Sequence, residues 1–306
     1  MYSGFLNVLK PPGMTSHDLV AFLRRVLRQK KIGHSGTLDP NATGVMVIAL
    51  GAATRLLEYL DAEAKEYIGM VRLGVDTDTY DSEGNVVKQY PEMACTLADL
   101  QAAGASLRGR QLQKPPLVSA VRIGGKRLYE YARSGIEVER PEREVVIHEL
   151  DIIPLQDKPY YGIGDLLRMR VRCSKGTYIR SLAYDLGHKV GAGAHLASLL
   201  RTESDGFVIE DALTVEEVLQ LAEEDRLSSV ITSMEQPLRF ATIYLNESEL
   251  KPILNGNTIQ VPWDAKPGEF FTLIFNGQLV AIAKYRFGSG HGYLQPVKVL
   301  FNAQFS

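Results

Sequence analysis

An uninterrupted apolar run at residues 45–50 lies between Gly44 and Gly51. A short apolar run bounded by glycines is typical of a buried strand. Apolar and partly alternating segments predict further strands at residues 4–9, 65–73, 145–155 and 166–173. These segments are spread over the first half of the chain and beyond, so we expect one large sheet assembled from distant parts of the sequence.

Apolar residues spaced three and four positions apart predict helices between these strands. The first helix starts at Thr15 and Ser16, with Asp18 placed to form a capping box with Thr15. Further helices are predicted at residues 53–60, 96–107, 181–189, 195–201 and 212–225. Glutamates crowd the last of these helices, which indicates a solvated face that points away from any nucleic acid.

The last part of the chain contains many predicted strands, at residues 243–245, 258–261, 270–275, 278–284 and 294–299. Asn276-Gly277 between two of them is a strong signal for a tight hairpin. A boundary is expected within residues 233–240, around Pro237. The segment after it predicts a small β-barrel domain of about 65 residues, within the usual range of domain sizes.

Composition is that of an ordinary globular protein: 306 residues, 45% hydrophobic and 23% charged. The formal net charge is −2, so any surface that binds nucleic acid must be a local basic patch. Two distant cysteines, Cys95 and Cys173, indicate neither a zinc site nor a disulfide framework, and a cytoplasmic, reducing location is expected. We see no signal peptide and no apolar run of membrane-spanning length.

The segment at residues 33–44 holds three glycines, a proline, a histidine and a single acid, Asp39. Pro40 disfavours helical backbone at Asp39, and the glycines allow tight turns or a close approach to another group. Two interpretations stay open from these residues alone. One is a plain turn, because Asp-Pro and Asn are common turn residues, and the other is a site that presents one carboxylate.

A second acidic segment, residues 75–84, invites two metal-site hypotheses. An EF-hand loop needs an acid or Asn at its fifth position and Gly at its sixth, where this chain has Tyr80 and Asp81. A magnesium-dependent phosphatase built on Asp76 and Asp78 would need a later lysine and acidic pair, which we do not find. A tight turn between strands is the expected structure.

Basic residues concentrate in three places. Residues 108–143 contain nine Lys or Arg against four Glu, interleaved with tyrosine and glycine, which favours an insertion that contacts RNA. Residues 166–184 contain no acid, and three arginines there alternate with apolar residues on one strand face. A third group, at residues 24–31, is either a solvated helix face or a phosphate-binding surface.

The chain resembles the TruB family of tRNA pseudouridine synthases in six blocks that occur in the family's order. They are Lys-Pro-Pro-Gly-Met-Thr-Ser at 10–16, the loop at 34–44, Lys-Glu-Tyr at 65–67, Thr-Asp-Thr-Tyr-Asp at 77–81, Cys-Ser-Lys-Gly-Thr-Tyr-Ile-Arg at 173–180, and Leu-Leu-Arg-Thr at 199–202 with Gly-Phe at 206–207. The final segment is similar to the PUA domain, a small RNA-binding barrel. Six ordered blocks are far more specific than any one of them.

This resemblance implies an α+β fold: a large catalytic domain, residues 1–237, with a central mixed, mainly antiparallel β-sheet flanked by helices, and a small C-terminal PUA-like β-barrel, residues 238–306. It implies isomerisation of uridine to pseudouridine at position 55 in the T-loop of tRNA, by base flipping and without any cofactor or metal. The T-arm of tRNA would be the partner. Nothing in the sequence demands a second protein chain, so a monomer is expected.

The resemblance also implies roles for individual residues. Asp39 would be the catalytic carboxylate, either attacking C1′ or removing a sugar proton to give a glycal. Tyr67 would stack on the flipped uracil, and Arg180 would pair with Asp39 and hold it ionised, because a nearby arginine lowers a carboxylate pKa. Substrate-binding roles fall to four further residues: His34, Asp81, Tyr178 and Leu200.

Two other classes of function remain alternatives. An RNA-binding module without catalysis, acting as a chaperone for tRNA folding, would not need Asp39, Tyr67 and Arg180 together, and an enzyme could also have that activity. The phosphatase hypothesis would require dependence on magnesium.

Overall fold

The computed structural model describes residues 1–60, 64–91, 94–119, 121–134, 136, 138–288 and 290–300. Within the basic insertion, the predicted RNA contacts from side chains 122, 126, 127, 129 and 133 lie outside what is described.

Strands dominate the architecture. In chain order they are β1 (Gly4–Lys10), β2 (Ile32–His34), β3 (Thr43–Leu50), β4 (Lys65–Leu73), β5 (Val75–Thr77), β6 (Val86–Gln89), β7 (Ala94–Cys95), β8 (Gly109–Gln113), β9 (Arg122–Ile123), β10 (Lys126–Arg127), β11 (Arg143–Pro154), β12 (Tyr161–Gly162), β13 (Leu166–Cys173), β14 (Ala194–Ser204), β15 (Phe207–Val208), β16 (Ala241–Tyr244), β17 (Ile259–Val261), β18 (Phe270–Phe275), β19 (Gln278–Gly288) and β20 (His291–Val299).

The α-helices of the described residues are α1 (Ser16–Val26), α2 (Leu97–Ser106), α3 (Leu128–Arg133), α4 (Ile179–Lys189), α5 (Val215–Glu223) and α6 (Glu247–Leu254). Three segments are 3-10 helices: Gly51–Tyr59, Ile209–Asp211 and Leu227–Val230. Capping boxes form at Thr15 with Asp18 and at Thr96 with Asp99, as the sequence predicts. Residues 53–60 are helical as expected, but in the tighter 3-10 form.

The central sheet has the order β1-β3-β14-β4-β13-β11-β8, with β2 paired to β3 and β15 paired to β14. Only the β3–β14 pair is parallel among these pairings of described residues, so the sheet is mixed and mainly antiparallel as predicted. Its pairing brings segments as far apart as residues 43 and 200 side by side. The predicted strands at residues 4–9, 45–50, 65–73, 145–155 and 166–173 all belong to it.

The prediction of a helix at residues 195–201 is wrong, because these residues lie in β14. Two register shifts interrupt its pairing with β4, between Leu196 and Ser198 and between Arg201 and Glu203. Bulges break the two-residue alternation of a strand, so the apolar spacing resembles that of a helix. Pairing with β3 on one side and β4 on the other decides the backbone.

The sheet separates two hydrophobic layers. On one face Leu6, Met46 and Val71 pack with apolar residues of the helices α1, α2, α4 and α5. On the other face Phe5 and Val47 pack with the 3-10 helix Gly51–Tyr59 and with the C-terminal sheet. Alternate residues of β1 and β3 therefore enter different layers, as the period of a strand requires.

The C-terminal sheet has five strands in the order β16-β18-β19-β20-β17, consistent with the predicted small PUA-like barrel. Asn276 and Gly277 both have positive φ, 47° and 75°, and form the predicted hairpin between β18 and β19. The sequence did not predict α6 in this part. The fold class expected from the sequence is confirmed, and no helix of the described residues is long and apolar enough to cross a membrane.

Candidate active site

Asp39 lies on the loop between β2 and β3, which the rest of the protein holds in place. The Ser16 side chain accepts a hydrogen bond from the Leu38 amide at 2.9 Å and donates one to the Leu38 carbonyl at 3.0 Å. Leu38 itself is buried. Asp39 follows directly, with 44% of its side chain exposed. The loop is therefore anchored in the core while its carboxylate stays accessible.

Arg180 at the start of α4 is the main partner of Asp39. Its Nη2 donates to Asp39 Oδ1 at 3.0 Å, and its Nε lies 3.0 Å from Oδ2. The side chain of Arg180 is only 5% exposed and also donates to the carbonyls of Thr79 and Val118. A positive charge in the first turn of a helix interacts unfavourably with the helix dipole. Its hydrogen-bond acceptors, and not the helix, therefore stabilise Arg180 in this position.

Asp81 completes the charge network on a turn between β5 and β6. Its Oδ2 lies 3.2 Å from Arg180 Nη1, and its Oδ1 accepts from the Thr79 hydroxyl and the Glu83 amide. The buried guanidinium of Arg180 thus bridges the carboxylates of Asp39 and Asp81, which are 42 residues apart in the sequence.

The pKa of Asp39 is raised above its ordinary value. Burial by the surrounding protein is the largest cause, and the negative charge of Asp81 adds to it, while Arg180 and Lys10 act in the opposite direction. We expected Arg180 to pair with Asp39 and hold it ionised by lowering its pKa. The arginine lowers the pKa as expected, but desolvation of the carboxylate outweighs it.

Two cavities meet at the Asp39–Arg180 pair. One, of about 330 Å³, has Tyr67, Tyr178 and Leu199 in its wall. The other, of about 270 Å³, is bounded by residues that include Asp81, Val118 and Leu199. Asp39, Arg180 and Leu199 line both. The first cavity joins a carboxylate to aromatic rings, an arrangement suited to a planar base beside a reacting sugar.

Tyr67 lies on β4 with 8% of its surface exposed. Burial raises the pKa of its hydroxyl, and the positive charge of Arg201 partly opposes this. Tyr178 lies at the N-terminus of α4, where its backbone exchanges hydrogen bonds with the Gln113 amide and the Arg143 guanidinium lies 4.2 Å from its ring centre. Both rings therefore have fixed positions in the first cavity.

His34 is the last residue of β2 and does not line either cavity. Burial lowers the pKa of its ring, and its Nδ1 is buried without a hydrogen-bond partner among the described residues. The structure therefore places His34 outside the two cavities that Asp39 lines.

Leu200 does not line either cavity, and its neighbour Leu199 lines both. In β14 Leu200 pairs with Ile68, whereas Leu199 and Arg201 pair with Gly69 and Tyr67. Successive residues of a strand face opposite sides of the sheet. Of the two neighbours, Leu199 and not the expected Leu200 therefore borders the cavities.

The three arginines on β13 alternate as predicted, and Arg168, Arg170 and Arg172 are exposed. They lie on the opposite face of the sheet from Tyr67, because Val171 and not an arginine pairs with Tyr67. Arg170 forms an ion pair with Glu66 at 2.6 Å. The strand part of the stripe therefore does not border the Asp39 cavities.

Comparison with known proteins decides the family. The model of the TruB family pseudouridylate synthase N-terminal domain matches residues 24–179, and that of the tRNA pseudouridylate synthase B C-terminal domain matches residues 180–239. The chain belongs to the TruB family. Pseudouridine synthases are isomerases, so it is an enzyme of that class.

Relatives within the TruB family match almost end to end. A tRNA pseudouridine synthase B of Bacillus anthracis is 41% identical over 98% of each chain. Another, of Geobacillus kaustophilus, is 43% identical over 85% of this chain and 91% of the relative. A solved H/ACA RNP bound to a substrate RNA containing 2′-deoxyuridine shares the fold, with a TM-score of 0.73, 24% identity, and coverage of 98% of this chain and 86% of that one.

Lys10 is one of several residues near the site of this TruB-family chain for which the sequence predicted no role. It is fully buried, and its Nζ donates to the carbonyls of Pro11, Met14 and Pro40 at 2.8, 2.6 and 2.9 Å. Burial lowers its pKa to about 8, against the influence of Asp39. Lys10 thus ties the end of β1 to the residue that follows Asp39.

Arg201 is the second such residue, with 1% of its surface exposed. Its Nε donates to the Val45 carbonyl at 2.7 Å and its Nη2 to the Gly36 carbonyl at 3.2 Å. Gly44 makes this approach possible: its φ is +114°, and a Cβ there would lie 2.2 Å from the Arg201 carbonyl oxygen. Arg201 therefore fastens both ends of the loop to β14.

Lys65 and Asp205 form a further buried pair, with Nζ 3.7 Å from Oδ2. Asp205 also accepts from the hydroxyls of Ser35 and Ser204. Lys65 is two residues before Tyr67 on β4, so both side chains lie on the same face of the strand. This spacing is a sequence signal that could have identified Lys65 as a residue of the site. A Cβ at Gly36 would lie 2.5 Å from Lys65 Nζ, so a larger residue there would displace the lysine ammonium.

The phosphatase hypothesis finds no support in this TruB-family chain. Asp76 is engaged with His188, Tyr90 and the amide of Ala194, whereas Asp78 accepts from Asn85. Asp76 lies in β5 and Asp78 in the turn that joins β5 to β6, the connection between paired strands that we expected.

Proposed function

We propose that this chain isomerises uridine to pseudouridine at position 55 in the T-loop of tRNA, with Asp39 as the catalytic carboxylate. The observation that carries the proposal is the placement of Asp39, which the buried Arg180 grips at 3.0 Å while 44% of its side chain remains exposed at a cavity shared with Tyr67. The relatives named tRNA pseudouridine synthase B support tRNA as the substrate.

The reaction breaks the bond between N1 of uracil and C1′ of ribose, rotates the base, and joins C5 to C1′. N1 gains a proton and C5 loses one, so no oxidant or reductant is required. Asp39 acts either by attacking C1′ or by removing a sugar proton to give a glycal. Both routes require its ionised form, which Arg180 favours, and a carboxylate keeps lone pairs free after accepting from one guanidinium.

Base flipping is required because C1′ chemistry cannot take place on a stacked nucleotide, and extrusion costs a few kcal/mol. Tyr67 offers a ring on which the extruded uracil stacks, a contact of about 1–3 kcal/mol for each base. Its raised pKa keeps the hydroxyl protonated and able to donate a hydrogen bond. Tyr178 and Leu199 bound the same space.

Cations near the first cavity are suited to the RNA backbone. Arg143 and Lys175 line it directly. Arg25, Arg28 and Lys30, on and after α1, are exposed and offer further positive charge for phosphate groups. The glutamates of the acidic helix α5 do not line either Asp39 cavity. We expect binding to weaken with salt in proportion to the number of phosphates neutralised.

Two units would share the work: residues 1–237 as the catalytic domain and residues 238–306 as a PUA-like RNA-binding domain. The C-terminal sheet packs on the central sheet through Phe5 and Ile282, and Arg55 donates to the carbonyl of Val299. This contact supports the proposal that the C-terminal unit binds RNA together with the active site.

The test is tritium release to water from a T-loop stem labelled at C5 of uridine, carried out in EDTA. The wild type and an Asp157→Asn control, which alters an exposed carboxylate, are expected to release tritium, and Asp39→Asn is expected to lose at least about 10³-fold in rate. Release by Asp39→Asn at the wild-type rate would remove Asp39 from the chemistry. Binding and tRNA refolding without release by any of the proteins would favour the chaperone alternative.

A further inference from the structure

Three side chains of α4 face the turn between β5 and β6. Arg180, Tyr184 and His188 are four residues apart, so they lie one above another along one face of the helix. Two of them contact the turn: Arg180 reaches Asp81 and Tyr184 stacks on Tyr80. The third, His188, contacts Asp76 in β5, which leads into the turn. The helix is therefore joined at three points to β5 and the turn that follows it.

The aromatic contacts form a continuous stack. The rings of Tyr80 and Tyr184 have centroids 4.1 Å apart at 27°, and those of Tyr184 and His188 are 4.0 Å apart at 33°. His188 Nε2 lies 2.8 Å from Asp76 Oδ2. Asp76 is buried and also accepts from Tyr90. The stack thus ends on a buried carboxylate that anchors it.

Tyr80 adopts a backbone conformation that is unfavourable for a bulky residue, with φ of +63°. Such strain persists only where the surroundings hold it. The Tyr80 amide donates to the Thr77 carbonyl at 3.2 Å, and the Leu196 amide donates to the Tyr80 carbonyl at 2.9 Å. Both neighbours of Tyr80 contact Arg180: the Thr79 carbonyl accepts a hydrogen bond from its Nη1, and the Asp81 carboxylate forms an ion pair with the same nitrogen.

We propose that Tyr80 is a positioning residue for the reaction: by stacking on Tyr184, its ring holds the turn and α4 at the spacing at which Arg180 reaches Asp39 and Asp81 together. This rests on the proposed role of Asp39. Asparagine or glycine would fit the left-handed backbone better than tyrosine. The Tyr80 ring supplies a contact that asparagine and glycine lack, the stacking on Tyr184 of the helix that carries Arg180.

Loosening this grip has a specific consequence for Asp39. The charged groups that act on its carboxylate are Arg180 from α4, Asp81 from the turn and Lys10 from β1. Retreat of Arg180 removes a charge that lowers the pKa of Asp39, whereas burial, which raises it, remains. The acid limb of kcat should consequently move to higher pH.

The experiment compares Tyr80→Gly, which removes the ring and relieves the backbone, with Tyr80→Phe, which keeps the ring. Single-turnover rates on the T-loop stem are measured against pH, together with RNA affinity and thermal unfolding. For Tyr80→Gly we expect a rate about 10- to 100-fold lower, an acid limb displaced to higher pH, and an RNA Kd within about twofold of wild type. Tyr80→Phe should match the wild type in all three.

Two further variants keep the outcome interpretable. Tyr184→Leu removes the other ring of the pair and should displace the acid limb in the same direction, even if Tyr80→Gly fails to fold. Arg140→Met removes the guanidinium that lies 6.0 Å from the Tyr80 ring centre, and it should leave the acid limb in place. Displacement by Arg140→Met alone would assign the effect to the basic insertion and overturn the proposal.

Asp39→Asn in the same assay separates this proposal from the proposed function. An active Asp39→Asn protein would overturn the catalytic role of Asp39. An inactive Asp39→Asn protein, together with wild-type rates and an unmoved acid limb for Tyr80→Gly and Tyr184→Leu, would overturn only the positioning role. A lower melting temperature with unchanged kinetics would make the stack merely structural.

Discussion

Arg180 Nη2 donates to Asp39 Oδ1 at 3.0 Å across a sequence separation of 141 residues. The arginine is buried and the aspartate is partly exposed, so the pair presents a held carboxylate at the surface of the site. The same guanidinium lies 3.2 Å from Asp81. Removing Arg180 would therefore disturb two acids and two backbone carbonyls at once.

Arg180→Met is expected to lower the free energy of unfolding by about 2–4 kcal/mol, because losing one partner of a buried pair leaves the other charge uncompensated. The exposure of Asp39 keeps the loss towards the lower part of this range. Urea unfolding at pH 7 is the measurement. The matched control Arg226→Met removes an exposed arginine paired with Glu224 and should change stability by less than about 1 kcal/mol. Equal losses of unfolding free energy in Arg180→Met and Arg226→Met would mean that the Asp39–Arg180–Asp81 network does not stabilise the fold.

The pH dependence of kcat should have an acid limb above the ordinary range of an aspartate, because burial and Asp81 raise the pKa of Asp39. Asp81→Asn removes one of these causes and should move the limb to lower pH. Folding stability follows from the same shift: the folded state holds this proton more tightly, so the contribution of Asp39 falls as pH rises from 3.8 through its folded pKa. A limb that moves to higher pH in Asp81→Asn would refute this account.

Leu199→Ala and Leu200→Ala form a matched pair on one strand. Leu199 lines both cavities and Leu200 lines neither, so we expect Leu199→Ala to lower kcat/KM by at least about tenfold and Leu200→Ala by less than about threefold. Steady-state kinetics on the T-loop stem distinguishes them, with circular dichroism to confirm folding. The reverse order would mean that the faces of β14 are exchanged.

Lys65 should contribute a pH dependence to stability on the alkaline side. Burial lowers its pKa from 10.5 to about 8, so the unfolded state binds more protons between these values, and stability rises with pH there. Lys65→Met removes this titrating group. The free energy of unfolding of the wild type, relative to Lys65→Met, should therefore increase from pH 8 to 10, by about 1–3 kcal/mol.

Exposed Lys251→Met serves as the control for the loss of one positive charge. Parallel curves for the wild type and Lys65→Met over this range would contradict the buried environment of Lys65.

Local signals were sufficient for much of the fold. The capping boxes at Thr15 and Thr96, the apolar run before Gly51 and the Asn276-Gly277 turn depend on neighbours within a few residues. Such short-range patterns act in any context, so the corresponding elements could be predicted from the chain alone.

The sequence by itself determined the family, the fold class and the identity of Asp39, Tyr67 and Arg180 as candidates, because ordered motifs and residue spacing are properties of the chain. Only the tertiary structure decided that residues 195–201 are a strand, that Leu199 and not Leu200 borders the cavities, and that the arginines of β13 face away from them. Strand pairing and bulges set these outcomes, and a shift of one residue exchanges the two faces of a sheet.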